Sequence, residues 1–269
     1  RNRDHDFKYE VSANLSTLRN RVTSLGFGTD SYISGSYITK VGEEIGQFYG
    51  WVYEGIARTQ EVLDNHATQE GAQIGDCLYK DVNNDGKVDS EDQVVLGSGM
   101  PKINFGLNAR FEYKRFDLSI ATFGALNYHV SDDIYNSLNS CYGWGNKEVG
   151  MLDANRFSED GSTYLSNVPR TYVTNSASLG WNDLFSSRKI QNAAYWKIAN
   201  VELGYNFPDK WFDKYVSDVR FYISAQNLHT FTGYHGYNVD YAGGTFTPGY
   251  NFCSYPTART FMCGVHFTF

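Results

Sequence analysis

The sequence predicts an all-β chain, a segment of an antiparallel transmembrane β-barrel with long extracellular loops. Three observations predict it. Apolar and polar residues alternate with period two along about seven stretches. Short and long connections between those stretches fall at opposite ends. The composition, 16% aromatic with 26 Gly and only 5 Pro in 269 residues, suits strands and turns. Mean hydropathy is −0.46, and no run approaches the roughly 20 apolar residues of a spanning helix. That excludes a helical membrane protein but not a barrel, whose strands bury only alternate residues. With 23 basic against 30 acidic residues the net charge is −7, and no Lys/Arg stripe appears, so no nucleic-acid partner is expected.

The elements follow in chain order. Phe7, Tyr9, Val11, Ala13 and Leu15 oppose Lys8, Glu10, Ser12 and Asn14. The stretch 45–57 (IGQFYGWVYEGIA) is rich in strand formers and counts as the second strand, although its alternation is poor. Phe105, Leu107, Ala109 and Phe111 share a face, as do Phe116, Leu118 and Ile120. In 199–206, Ala199, Val201, Leu203 and Tyr205 oppose Asn200, Glu202, Gly204 and Asn206. Val219, Phe221, Ile223 and Ala225 form the next apolar row, and Phe261, Cys263, Val265, Phe267 and Phe269 the last. Lengths of roughly 9–12 residues suit tilted strands crossing a bilayer.

A tight turn near Lys114 and a link beginning at Pro208 make two hairpins. Polar connections at 58–103, 127–193 and 232–257 are long, and few compact soluble domains carry several of that length. The 19–44 connection fits this alternation less well. The terminal row Val265, Phe267 and Phe269 has the pattern that outer-membrane barrels present to their assembly machinery, which makes it the expected assembly signal. The chain opens at Arg1 without a Met or an apolar leader, so it is expected to be an interior piece or a processed chain. Cys77, Cys141, Cys253 and Cys263 show no zinc spacing; Cys141 with Cys253, both in long loops, is the pair to test for a disulfide.

Residues 81–92 read DVNNDGKVDSED, the spacing of a twelve-residue calcium loop. Asp81, Asn83 and Asp85 take positions 1, 3 and 5, and Gly86 makes the sharp turn at position 6. Lys87 offers a carbonyl, Asp89 acts at position 9, and Asp92 replaces the usual bidentate Glu. The competing reading is a turn that uses Asp, Asn and Gly for backbone reasons alone. No nucleophile-elbow, zinc-protease, P-loop or dinucleotide motif is present, and the six His are scattered singly, so no catalytic residue is expected. Loop aromatics Tyr142, Trp144, Trp181, Tyr234 and Tyr237 are candidates to stack on a sugar or pack on a peptide, with self-packing of the loops as the alternative.

The runs VGEEIGQFYGWVYEGI (41–56), GDCLYKDVNNDGKVDSEDQVVLGSGMPKINFGL (75–107) and RFDLSIATFGALNYHVSDDIYN (115–136) resemble the late barrel of SusC/RagA-type TonB-dependent outer-membrane transporters. So do YWKIANVELGYNFP (195–208) and SAQNLHTFTGYHGYNVD (224–240). The resemblance implies that 1–269 is the carboxy-terminal portion of a 22-stranded barrel, with 81–92 inside an extracellular loop. It further implies a plug, energising through TonB, and a SusD-like surface lipoprotein partner, with import of glycans or oligopeptides across the outer membrane of a Gram-negative bacterium. About seven strands cannot close such a barrel, and open edges do not survive in lipid, so the missing strands, plug and TonB box are expected elsewhere. The alternative is a secreted soluble β-sandwich, a carbohydrate-binding module with a dockerin-like calcium loop.

Overall fold

A computed structural model describes residues 6–140, 146–149, 168–170, 180–208, 211, 218–240 and 243–268. Strand β1 (Phe7–Thr17) is followed by the short strands β2 (Ser31–Ser34), β3 (Tyr37–Lys40), β4 (Gln47–Gly50) and β5 (Tyr53–Ile56). Helix α1 (Gln60–Asp64), β6 (Cys77–Tyr79) and β7 (Val94–Ser98) come next. The long β8 (Ile103–Tyr113) and β9 (Phe116–Leu126) precede β10 (His129–Asp132), α2 (Asp133–Leu138), α3 (Gly180–Asp183) and β11 (Gln191–Asn192). Then come β12 (Tyr195–Asn206), β13 (Asp218–Thr232), β14 (Tyr250–Asn251) and β15 (Thr260–Thr268).

The six long strands form one antiparallel sheet, the wall, in the order β1-β8-β9-β12-β13-β15. Its register puts all the apolar rows on a single face. Val11 lies opposite Ala109, Ala109 opposite Ile120, Ile120 opposite Val201, and Val201 opposite Ala225. One row away run Phe111, Leu118, Leu203, Ile223 and Cys263. Among the described residues no second sheet covers this face: Leu203 is 41% exposed, Ile223 47% and Val265 49%. A soluble sandwich must bury its apolar face against another sheet, so the sandwich reading is not supported.

Aromatic rings mark both ends of the apolar face. At the tight-turn end Phe7 stacks on Phe111 and Phe116 packs on Tyr205, whose ring meets Phe207 edge-on. At the other end Trp196 stacks on Phe231 with centroids 5.4 Å apart. Aliphatic residues occupy the band between, the layout that places ring side chains at two membrane interfaces.

The wall corrects the strand count. Six strands belong to it, not about seven, because 45–57 divides into β4 and β5, which pair with other short strands. Its poor alternation reflects the break between the two strands and a register shift in each pairing, between Phe48 and Tyr49 in β4 and between Tyr53 and Gly55 in β5. The awkward 19–44 connection thereby joins 58–103 in one long excursion from β1 to β8. Every long connection, 18–102, 127–194 and 233–259, now leaves the same end of the wall. The opposite end has the two-residue turn Lys114–Arg115, with Lys114 at a φ of 54°, the left-handed backbone such turns use, and the link from β12 to β13.

A second correction concerns β12. Its pairing with both neighbours shifts between Ile198 and Asn200, so a bulge leaves Ala199 out of the ladder. Past the bulge the apolar face passes to Ile198 and Trp196, and Lys197 turns inward.

The loops gather into a lobe over the mouth end, built on a four-stranded sheet (β2-β3-β4-β7), a three-stranded sheet (β11-β10-β14) and the pair β5-β6. Ala125, Tyr128, Val130, Ala193, Tyr234 and Val239 form the core where lobe meets wall. Cys77, Tyr79 and Val88, with Trp51, Tyr53, Trp181 and Leu184 around them, form a second core farther out.

Candidate functional site

The inner face of the wall is polar and divides by chemistry. Near the tight turns it is ionic. Arg220 on β13 donates from Nε to Asp117 Oδ1 at 3.0 Å and from Nη2 to Glu202 Oε1 at 2.8 Å, bridging β13, β12 and β9. Gly204 lies beneath this cluster, where a Cβ would come within 2.6 Å of the Arg220 and Asp117 side chains. At the lobe end Lys197 is buried, pairs with Asp240 at 2.5 Å and lies over the Phe123 ring. Tyr128 donates to the Val239 carbonyl at 2.9 Å; burial, aided by the Asp240 charge, pushes its pKa well above the ordinary value.

Buried carboxylates tie the lobe together. Asp76, wholly buried, accepts from Arg170 Nε at 2.6 Å and Nη2 at 3.1 Å, from Asn182 Nδ2 at 2.7 Å, and from the Gln73 amide at 2.9 Å. Asn182 Oδ1 in turn accepts from the Cys77 amide at 2.7 Å. Asp132 caps α2 through the Tyr135 amide and accepts the Tyr234 hydroxyl, whose oxygen accepts from Asn251 Nδ2 at 2.8 Å. Burial first, then the hydrogen bond to Asp132, raises the Tyr234 pKa and keeps the phenol protonated. Arg170 and Asn182, the partners of Asp76, and Tyr234 and Asn251, the partners of Asp132, lie 94 to 119 residues from those carboxylates in sequence. No local spacing announces them, and only a contact map could find them.

The 81–92 loop closes on its own backbone. Asp81 accepts from the Asn84 and Gly86 amides at 2.6 and 2.8 Å, Asn83 from Asp85 at 2.9 Å, and Asp85 from Lys87 at 2.9 Å. Asp89 accepts from the Glu91 amide at 2.8 Å. Asp92, wholly covered by the loop, accepts from Val82 at 2.7 Å, Asn83 at 3.3 Å and Asp89 at 2.9 Å. Burial pushes the Asp92 pKa up, but those amides outweigh it and hold the carboxyl below its ordinary value. Thr68 pairs with this loop, donating to the Gly86 carbonyl at 2.8 Å and accepting from Val88 at 3.0 Å, and Val88 enters the outer core. Among the described residues no group of three or more His, Cys, Asp or Glu is gathered as a metal site.

The candidate aromatics separate. Trp181 is half-buried in the outer core, its indole N–H donating to the Glu70 carbonyl at 2.8 Å, and Tyr234 is 6% exposed. Both rings are engaged in holding the lobe, whereas Tyr237 is 68% exposed. Tyr142, Trp144 and Phe269 lie outside the described residues, as does Cys141 of the tested disulfide pair. Val265 and Phe267 stand on the apolar face opposite Phe221 and Val219. No described helix is long and apolar enough to cross a membrane.

A two-faced antiparallel wall with long loops at one end and tight turns at the other is the architecture of an outer-membrane barrel wall. No protein-family profile matches the chain. Over 99% of its length, however, it is homologous to the TonB-dependent receptor P3 of Formosa agariphila at 28% identity, covering 27% of that protein. It also aligns with the TonB-dependent receptor SusC of Bacteroides thetaiotaomicron at 24% identity over 98% of the chain and 25% of SusC. The RagAB peptide transporter superposes over the whole chain with a TM-score of 0.79 at 20% identity, the chain covering 28% of the matched polypeptide. The chain is thus similar over nearly its whole length to TonB-dependent receptors, SusC among them, and has the fold of the matched part of the RagAB transporter. It spans about a quarter of the length of the curated relatives it matches.

Proposed function

We propose that the chain is the carboxy-terminal part of the barrel of a TonB-dependent importer in the outer membrane of a Gram-negative bacterium. The observation that carries this reading is the wall, with its aliphatic band between aromatic rims on one face and polar residues on the other. The apolar face meets lipid, the lobe faces outward, and the inner face lines the import route. Remote parts of the same protein supply the plug and TonB contact, and a SusD-like lipoprotein covers the lobe. Transport proceeds by gating, with no bond made or broken in the substrate, a glycan or an oligopeptide. Homology to receptors and transporters supports this.

Two finer assignments belong to the same reading. Val265, Phe267 and Phe269 close the barrel and are read by the assembly machinery, because unpaired backbone in hydrocarbon costs several kcal/mol per group. The loop Asp81–Asp92 takes calcium through Asp81, Asn83, Asp85, the Lys87 carbonyl, Asp89 and Asp92, supported by its spacing and its oxygen-only donors. Of the candidate aromatics among the described residues, Tyr237 is the one left open to a ligand.

The test uses the full-length protein in its own cell. Outer-membrane fractionation, uptake with and without TonB, and co-purification of a lipoprotein should all be positive. Removing Phe267 and Phe269 should lower the outer-membrane level without changing synthesis. Soluble export of the intact protein would overturn the reading. For the loop, calcium should slow proteolysis within 81–92, and identical cleavage in calcium and in chelator would reject the ion.

A further inference from the structure

The apolar face ends in a continuous aromatic row on the side of the tight turns. Phe7 on β1 lies opposite Tyr113 on β8, Tyr113 opposite Phe116 on β9, Phe116 opposite Tyr205 on β12, and Tyr205 opposite Phe221 on β13. Five adjacent strands thus place a ring at one level of the wall. Phe7 is 46% exposed, Tyr113 50%, Phe116 53% and Phe221 40%, so the row is uncovered.

One cation stands over this row. Lys114 turns the chain from β8 to β9, and its ammonium lies 5.3 Å from the centre of the Tyr113 ring. Because Tyr113 belongs to the apolar face, this contact brings the ammonium to the same side of the turn. The turn is held from both flanks: the Lys114 amide donates to the Asp6 carbonyl at 3.4 Å, and the Asn206 amide donates to the Arg115 carbonyl at 2.8 Å. Lys114 and Arg115 are both exposed, and neither side chain has a carboxylate partner among the described residues.

The carboxylates flanking the turn are engaged elsewhere. Glu112 pairs with Arg110 at 3.1 Å and Asp117 with Arg220, both on the inner face. Two other wall cations lie over rings, Lys197 over Phe123 and Arg220 over Tyr222, but each pairs with a carboxylate on that inner face. Lys114 and Arg115 therefore present two uncompensated positive charges where the aromatic row ends. Such a row sits at headgroup depth, and cations beside it attract anionic headgroups.

We infer that Lys114 and Arg115, above Tyr113 and Phe116, form a binding site for the phosphodiester headgroup of one anionic phospholipid in the periplasmic leaflet. The inference rests on the reading of the wall as membrane-spanning with its tight turns at the periplasm. It goes beyond that reading by naming a lipid and the residues that hold it. The two cations take phosphate oxygens through charge-assisted hydrogen bonds. The two rings carry the glycerol and the first acyl methylenes, and the aliphatic band receives the chains.

The experiment titrates the full-length protein in detergent with phosphatidylglycerol, phosphatidylethanolamine or lipopolysaccharide and counts bound lipid by native mass spectrometry. Phosphatidylglycerol should bind more tightly than phosphatidylethanolamine, whose headgroup carries no net charge. Lys114→Asn, which suits the left-handed backbone at this turn, and Arg115→Gln should each weaken phosphatidylglycerol about fivefold. Tyr113→Phe should retain binding. Arg259→Gln, an exposed cation just before β15 at the opposite end of the wall, should change nothing. Heat-modifiable migration confirms that each variant is folded. Equal affinity for the two phospholipids, binding indifferent to either turn variant, or an equal loss in Arg259→Gln would each overturn the site. So would displacement of phosphatidylglycerol by inorganic phosphate or by lipopolysaccharide. In all these cases a folded protein that needs detergent leaves the import reading standing. A protein that stays folded and soluble without detergent would overturn the import reading itself.

Discussion

The wall and the lobe are made from one chain under opposite solvent rules. In the wall, large apolar residues such as Ile223, Leu203 and Phe267 stand uncovered, and the backbone is satisfied by strands of up to 15 residues. In the lobe, strands run two to five residues and carboxylates such as Asp76 and Asp132 are buried, each saturated by donors from distant loops. A wall facing hydrocarbon needs apolar side chains outward and no free backbone. A lobe in water with little regular structure must instead satisfy its backbone and polar groups by side-chain networks.

That contrast can be broken from either side. The largest effect is expected in the lobe. Asp76→Ala strands Arg170 and removes an acceptor from Asn182, which should cost about 3–5 kcal/mol locally. Limited proteolysis should open the lobe while the heat-modifiable migration of the barrel is unchanged. If both collapse together, lobe and wall are one cooperative unit. Next comes the wall. Ile223→Arg on the apolar face should cost about 2–4 kcal/mol in bilayer stability, and Gln226→Arg on the inner face much less. Equal assembly yields for the two would contradict the facing assignment.

Smaller effects sharpen the comparison. Asp92→Ala leaves the Val82, Asn83 and Asp89 amides without their acceptor and should cost about 1–3 kcal/mol within the 81–92 loop. Amide exchange in 81–92 should rise with no change in β8 or β9. The smallest effect is a pH response at His129. Burial lowers its pKa, so the folded lobe favours the neutral ring, whereas the unfolded chain takes up a proton near the ordinary value of 6.5. The unfolded state then binds more protons, so this contribution is full above pH 6.5 and declines as pH falls toward the lowered folded value. His129→Asn should flatten that decline in the proteolysis profile. An unchanged slope would assign it to other groups.

Sequence alone determined the wall because its information is local. Period-two alternation in Phe105–Phe111, Val219–Ala225 and Phe261–Phe267 depends only on which solvent each face meets, so it can be read strand by strand. The position of the Lys114 turn and the oxygen-rich spacing of Asp81–Asp92 are local in the same sense. Tertiary structure decided what local pattern cannot carry. It took 45–57 out of the wall, since β4 and β5 pair with short lobe strands through shifted registers that break the alternation. It moved the apolar face from Ala199 to Ile198 through a bulge whose register exists only between strands. It engaged Trp181 and Tyr234 in lobe packing, and it joined Asp76 to Arg170 and Asp132 to Asn251 across about a hundred residues. Such contacts arise from the closure of long loops against one another, and in a single sequence their partners are separated by segments that leave no periodic trace.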